Sequence, residues 1–212
     1  VYIPATTPGV SAITKYDVSG NLVWERVLSS GGVTATSAIA DDGSILVASS
    51  SYGTPGKSSV LARYNSNGDM QWEVLSSQPT FNDIVVNGNT VYVGGGTGTG
   101  FNGANTAFIS AYSLAQGSLI WNKTYPNSGA AVINDLEIAD GAIYVAADLY
   151  GKQNFSVGIV GRLDLNGNET WWKSAPVGDW ASVGYIRVVG NQIIGAGDRK
   201  STRLNSSHLV IS

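Results

Sequence analysis

ITKYDVSGNLVWERVL at 13–28 returns three more times along the chain, as LARYNSNGDMQWEVL at 61–75, ISAYSLAQGSLIWNKTY at 109–125 and VGRLDLNGNETWWKS at 160–174. The shared pattern begins with an aromatic or apolar residue (Tyr16, Tyr64, Tyr112, Leu163) and continues with a turn glycine (Gly20, Gly68, Gly117, Gly167). Four residues beyond each glycine stands a tryptophan: Trp24, Trp72, Trp121 and Trp171. Successive tryptophans lie 48, 49 and 50 residues apart, a period that marks a repeat architecture.

Between these blocks runs a second pattern: TATSAIADDGSILVASS at 34–50, TFNDIVVNGNTVYVGGG at 80–96, AVINDLEIADGAIYVAAD at 131–148 and SVGYIRVVGNQIIGAG at 182–197. Each holds two short apolar runs around a dipeptide (Asp42-Gly43, Gly88-Asn89, Asp140-Gly141, Gly190-Asn191) that accepts positive φ in a tight hairpin. β-branched residues and Tyr dominate the flanks, so the runs are expected as strands. Every period then supplies four antiparallel strands, A to D, in one unit 80–87, 90–96, 106–113 and 118–125. A lone sheet of this size buries too little apolar surface to stand, whereas radial stacking covers both faces of every sheet. Solenoid repeats are usually shorter. The expected fold class is all-β, a β-propeller fragment of four-stranded antiparallel blades. The expected layout is strands B to D of one blade at 1–28, complete blades at 34–76, 80–125 and 131–175, and strands A and B of another at 182–197. No ring closes within these limits, and an intact protein with more blades is expected.

The spacing also gives the tryptophans a task. On strand D, four residues past the turn, an indole can lie flat between neighbouring sheets. Trp24, Trp72, Trp121 and Trp171 are therefore expected as docking residues. Truncating a buried Trp to Ala typically costs about 3–5 kcal/mol. With these residues in view, AYSLAQGSLIW at 111–121 resembles the A-x-D-x-x-T-G-x-x-x-W repeat of quinoprotein-like, pyrroloquinoline quinone (PQQ)-type propellers. KYDVSGNLVW at 15–24 and RYNSNGDMQW at 63–72 resemble the secreted β-propeller repeats with a K-Y-D-x-x-G-N-x-x-W signature. The resemblance covers 1–197 and implies the fold; the residues that carry it hold blades together and say little about activity.

Composition bounds the rest. The 212 residues are 43% hydrophobic and 13% charged, with no cysteine and a formal charge of −3, which describes a globular chain able to bury a core. Residues 198–212, DRKSTRLNSSHLVIS, resemble the translation of a common short-read sequencing adapter and are expected to be a non-native tail. The tail holds three basic residues, one acid and the single histidine, so without it 9 basic stand against 14 acidic residues and the charge becomes −5. The remaining Lys and Arg are scattered singly, which argues against a nucleic-acid surface. No apolar run approaches the roughly 20 residues of a membrane span. The opening VYIPATTPGV lacks the regions of a signal peptide, but the chain begins with Val1, and an upstream part is expected. Low charge with abundant Gly, Ser, Thr and Asn fits an extracellular or cell-surface protein, or a periplasmic one.

Without histidine or cysteine before the tail, Ser/His/Asp and Cys/His mechanisms and the usual zinc sites are excluded for these residues. Catalytic and metal residues are therefore expected to be none. Asp83, Asp135 and Glu137 recur at the start of the innermost strand. Paired carboxylates can do acid–base chemistry there, but the equivalence of Asn82-Asp83 and Asn134-Asp135 favours hydrogen bonding between adjacent inner strands. DVSGN, NSNGD and DLNGNE, led by Asp17, Asn65 and Asp164, look superficially like calcium loops; they coincide with the C-to-D turn, lack the full ligand series, and read as Asx and glycine turns. The family resemblance implies, for a quinone dehydrogenase, a calcium ion, an acidic base and an aromatic platform, none of which can be matched residue by residue. No cofactor is expected of these residues; PQQ and calcium stay open for a longer protein.

The irregular parts are the B-to-C loops at 49–59, 95–106 and 148–155, which share one face with the D-to-A connections. They set Tyr52, Phe101 with Asn102, Tyr150 and Phe155 among Gly, Asn, Ser and Thr, and Asp179 and Trp180 lie on the same face. Such a mixture on a rigid scaffold suits protein or carbohydrate contact. Sequons begin at Asn122, Asn154 and Asn168 and would be glycan acceptors in a host that glycosylates exported proteins. The expected role is an exported binding or scaffolding module. Two alternatives stand beside it: a quinoprotein dehydrogenase or sugar-acting enzyme whose catalytic residues lie in other blades, and a structural spacer of a large surface protein. Oligomeric state is not legible.

Overall fold

The hairpin residues picked from the sequence take up the backbone conformation that reverses a chain tightly. Gly43, Gly88, Gly141 and Gly190 have positive φ in the first hairpin of each period, as does Asp140, and Gly20, Gly68, Gly117 and Gly167 have it in the second. The computed structural model describes residues 2–7, 10–29, 32, 34–51, 58–78, 80–97, 106–126, 131–150, 156–174, 182–198 and 209–210. Among them there are strands and no α-helix.

The strands form five sheets, each in simple sequential order. The first contains β1 (Tyr2–Thr7), β2 (Val10–Tyr16) and β3 (Leu22–Val27). The second contains β4 (Thr34–Ile39), β5 (Ile45–Ser50), β6 (Ser59–Tyr64) and β7 (Met70–Ser76). The third contains β8 (Thr80–Asn87), β9 (Thr90–Gly96), β10 (Ala107–Ser113) and β11 (Leu119–Thr124). The fourth contains β12 (Val132–Ala139), β13 (Ala142–Tyr150), β14 (Ser156–Asp164) and β15 (Glu169–Ser174). The fifth contains β16 (Tyr185–Val189), β17 (Gln192–Gly197) and β18 (Leu209–Val210), so the tail segment contributes a two-residue strand that pairs with Ala196 and Gly197. In the first, second and fourth sheets the register shifts at the same place, between Lys15 and Tyr16, Arg63 and Tyr64, and Arg162 and Leu163. A bulge adds one residue to a strand and bends it locally. Here it falls one or two residues before each strand-D tryptophan.

Two compact units divide the chain, 1–93 with 110–120 and 94–109 with 121–212, the division falling within the third sheet. In the first unit β4 packs against β8, and β1 and β5 lie against the first strand of the following sheet. Ile13, Trp24, Leu28, Ile45, Val47, Val60, Ala62 and Tyr64 form a buried cluster between the first two sheets. Central strands β5 and β6 bury both faces, while the outermost β3 and β7 are largely exposed, which is why the central runs read as continuously apolar.

In the second unit β12 and β13 pack against β16. Ala142, Tyr144, Ala146, Val160, Val183 and Ile186 make its buried cluster, with Ala139, Trp171, Val188 and Ile193 packed around it. Gly94 lets the fourth sheet approach: a Cβ there would sit 2.8 Å from Ile133 Cγ2 and 3.1 Å from Leu136 Cδ1. Antiparallel meanders of up to four strands, packed sheet on sheet within each unit, give an all-β chain of the β-propeller class.

Candidate functional site

In an antiparallel meander the second and fourth strands end on the same side, so the B-to-C loops emerge together with the D-to-A connections. Their stems are pinned. Ser51 N–H donates to Ser59 Oγ at 3.0 Å, Thr97 N–H donates to Thr106 O at 3.0 Å, and Thr106 N–H donates to Thr97 Oγ1 at 3.1 Å. In the fourth sheet the ladder runs to its last pair, Tyr150 with Ser156. Tyr150 is therefore the final residue of β13 and not a loop residue, because the Leu149 and Val157 pair carries the strand further than expected. Tyr52, Phe101, Asn102, Phe155, Asp179 and Trp180 lie outside the described residues.

Beneath this end, carboxylates on one sheet are bonded to the backbone of the next. Asp135 Oδ2 accepts the Ile186 N–H at 2.7 Å and Arg187 Nη1 at 3.0 Å. Glu137 Oε2, two residues along β12, accepts the Val188 N–H at 3.1 Å. Alternate residues of a strand face the same way, so a pair two apart meets alternate N–H groups of β16. Asn134 Nδ2 donates to Val183 O at 3.0 Å. Asn82 and Asp83 hold the matching positions of β8.

Asp148 is a participant that sequence reading missed. It stands where the 131–148 run meets the 148–155 loop, with no role assigned from sequence, and it is buried at 6% exposure near the end of β13. Its Oδ1 accepts the Val183 N–H at 3.1 Å and its Oδ2 accepts the Ser182 hydroxyl at 2.8 Å. Burial pushes its carboxyl above the ordinary value, while hydrogen bonds from Asn134, Ser182 and Val183 pull the other way. Ser50 stands at the corresponding end of β5, where its hydroxyl donates to Phe81 O at 2.7 Å and accepts the Phe81 N–H at 2.6 Å. The only advance signal was that each residue closes the second apolar run of its repeat, 34–50 and 131–148.

The loops led by Asp17, Asn65 and Asp164 close on themselves. Asp17 Oδ1 accepts the N–H groups of Ser19 and Asn21 at 2.8 and 2.9 Å, and Asn21 Nδ2 donates to Asp17 Oδ2 at 2.8 Å. Asn65 with Asn67 and Asp69, and Asp164 with Asn166 and Asn168, repeat the arrangement. The side-chain bond from Asn21 leads in holding Asp17 below its ordinary value, and the backbone N–H of Asn168 leads for Asp164. Among the described residues no group of three His, Cys, Asp or Glu is arranged to hold a metal.

Trp24, Trp72 and Trp121 sit on the turn glycine one period ahead. In the first unit, a Cβ at Gly68 would lie 2.8 Å from Trp24 Cδ2, and one at Gly117 2.8 Å from Trp72 Cδ2. Trp72 Nε1 donates to Leu114 O at 2.9 Å. In the second unit, a Cβ at Gly167 would lie 2.8 Å from Trp121 Cη2. Tyr125 OH donates to Gly167 O at 3.3 Å from a buried position that raises its pKa. Trp171, like Val188 and Ile193, packs against the buried cluster of Ala142, Tyr144, Ala146, Val160, Val183 and Ile186. A rim cleft of about 390 Å³ in the first unit is lined by Arg26, Val27, Tyr64, Gly68, Asp69 and Met70. It gathers no pair of groups poised for proton transfer.

No family model and no curated protein matches the sequence. Among solved structures, the chain is similar to quinohemoprotein alcohol dehydrogenase from Comamonas testosteroni, with a TM-score of 0.58 at 12% identity over 92% of this chain. The match covers 39% of that protein, and at this identity it shows the fold alone.

Proposed function

We propose that the chain is part of an exported or cell-surface β-propeller that binds a protein or carbohydrate through its B-to-C and D-to-A loops. The observation that carries this reading is the division of labour in the scaffold. Asp135, Glu137 and Asp148 are committed to the backbone of the neighbouring sheet, and the Asx residues to their own turns. The loop stems, by contrast, are pinned and bear aromatics set among small polar residues. Rigid stems lower the ordering cost of such loops on binding. Low charge and the sequons support an exterior location. Glycan-array and pull-down measurements with the whole protein test the reading: alanine at Tyr52, Phe101 and Phe155 should abolish binding, and unchanged binding would refute the loop assignment.

A second reading follows from the likeness to a quinohemoprotein enzyme. In it, other blades supply a PQQ and calcium site. The carboxylates described here do not fit that role, since each is bonded to backbone N–H groups and no acidic cluster of metal-binding size stands among the described residues. Titrating the whole protein with PQQ and calcium, followed by fluorescence, separates the two readings; saturable binding favours the enzyme.

A further inference from the structure

The rim cleft between the first two sheets gathers polar groups that the fold leaves without partners. Tyr64 is 3% exposed and lines the cleft, yet its hydroxyl makes no hydrogen bond among the described residues. Nor is that oxygen sealed in, since among the described residues only Trp172 Nε1 is both buried and unpartnered. The next repeat shows what the hydroxyl lacks. Tyr112, the corresponding residue, is hydrogen-bonded to the hydroxyls of Ser110 and Ser76. Those two positions lie two residues before the tyrosine and four beyond the strand-D tryptophan; around Tyr64 they are filled by Ala62 and Leu28. A buried hydroxyl left in this way favours any group in the cleft that can bond it.

Two opposite charges share the cleft with it. Arg26 stands over the Trp24 ring, its Cζ 5.5 Å from the centroid, and commits Nε to Gly68 O and Nη1 to Glu25 O. Its Nη2 makes no hydrogen bond among the described residues. Asp69 accepts Asn65 Nδ2 on Oδ2 at 3.0 Å, which leaves Oδ1 open. Both residues line the cleft, and neither is in an ion pair among the described residues. Val27 and Met70, both exposed, add an apolar wall.

We propose that this cleft binds a free α-amino acid with an apolar side chain. Its carboxylate meets Arg26 Nη2 and the Tyr64 hydroxyl, its ammonium meets Asp69, and its side chain lies against Val27 and Met70. A simple anion would face the Asp69 charge, and a simple cation the Arg26 charge; a zwitterion complements both. A sugar finds no ring to stack on, because Trp24 lies against Gly68 and Tyr64 is buried. The volume of about 390 Å³ falls within the range of small-molecule sites. This site is independent of the loop reading: it stands at the C-to-D turn, the opposite end of the sheets from the B-to-C loops.

Met70 is the only methionine in the chain, so methyl-labelled methionine gives a single carbon-13 NMR signal from inside the cleft. The 212-residue chain is titrated with L-leucine, N-acetyl-L-leucine, L-leucinamide and maltose. L-Leucine should shift the Met70 signal to saturation. Each analogue lacks one of the two charges and should bind about tenfold more weakly or worse. Tyr64→Phe removes a hydroxyl that has no protein partner, so the fold stays and leucine binding should weaken by about five- to tenfold. Asp69→Asn keeps an oxygen for Asn65 but not the charge, and should erase the preference for leucine over N-acetyl-leucine. The proposal is overturned if leucine does not saturate the signal, if maltose or either analogue matches leucine, or if Tyr64→Phe binds leucine as wild type does.

Discussion

Replacing Gly117 by Ala should destabilise the chain far more than the same change at Gly43, although both glycines have positive φ, 68° and 77°. At Gly43 a Cβ would meet nothing within 4 Å, so the cost is that of forcing an L-residue into the left-handed region, about 1–2 kcal/mol, less the entropy removed from the unfolded chain. At Gly117 the new Cβ would stand 2.8 Å from both Cδ2 and Cε3 of Trp72, where carbon atoms prefer roughly 3.5–4.0 Å. The indole must move by about 1 Å, and its hydrogen bond to Leu114 O moves with it. Overpacking adds about 1–3 kcal/mol and a weakened, partly buried hydrogen bond about 1 more. The expected totals are about 3–5 kcal/mol at Gly117 against about 1 at Gly43. Urea unfolding followed by circular dichroism measures both, and a Trp72→Leu background supplies the control: without the indole, Gly117→Ala should cost no more than Gly43→Ala. If the two glycine variants agree within about 0.5 kcal/mol in the wild-type background, the stacked ring is not what holds these sheets together.

Asp135→Ala should cost about 1–3 kcal/mol by orphaning the buried Ile186 N–H, and hydrogen exchange at that amide should quicken; Arg187→Ala should be nearly silent, since its guanidinium side chain is 63% exposed. Asp148 has a raised pKa, so the native state holds its proton more tightly than the unfolded chain. Its contribution is most favourable below the ordinary 3.8 and declines as pH rises through the elevated folded value. Asp148→Asn should therefore be at least as stable as wild type at neutral pH, with a flatter stability profile above pH 3.8, whereas Asp148→Ala should lose about 1–3 kcal/mol by stranding the Val183 N–H. Asp164 is shifted the opposite way, so its turn is intact above 3.8 and loosens as pH falls through the lowered folded value; a carbon-detected NMR titration should place its midpoint below 3.8.

Much of this architecture was legible because its causes are local. Strand alternation, a positive φ at Gly43 or Gly117, and an indole four residues past a turn are each written within a few neighbouring positions. The strands read at 80–87 and 90–96 coincide with β8 and β9 for that reason. Tyr150 was read as a loop residue because the end of a strand depends on a cross-strand partner, Ser156, that local composition does not name. The loop aromatics Tyr52, Phe101 and Phe155 were legible as residue types and lie outside the described residues.

From the sequence alone came the period, the four strands in each repeat, the turn residues and the fold class, all consequences of backbone preference and side-chain alternation. Tertiary structure alone decided what each distinctive side chain does. Trp72 belongs to the Gly117 turn, Asp135 and Glu137 to the edge of β16, and Asp148 to Val183. These partners lie 35 to 52 residues away in the chain. Hydrogen-bond donors and flat glycine faces recur throughout a repeat protein, and only the packing of one sheet on the next selects among them.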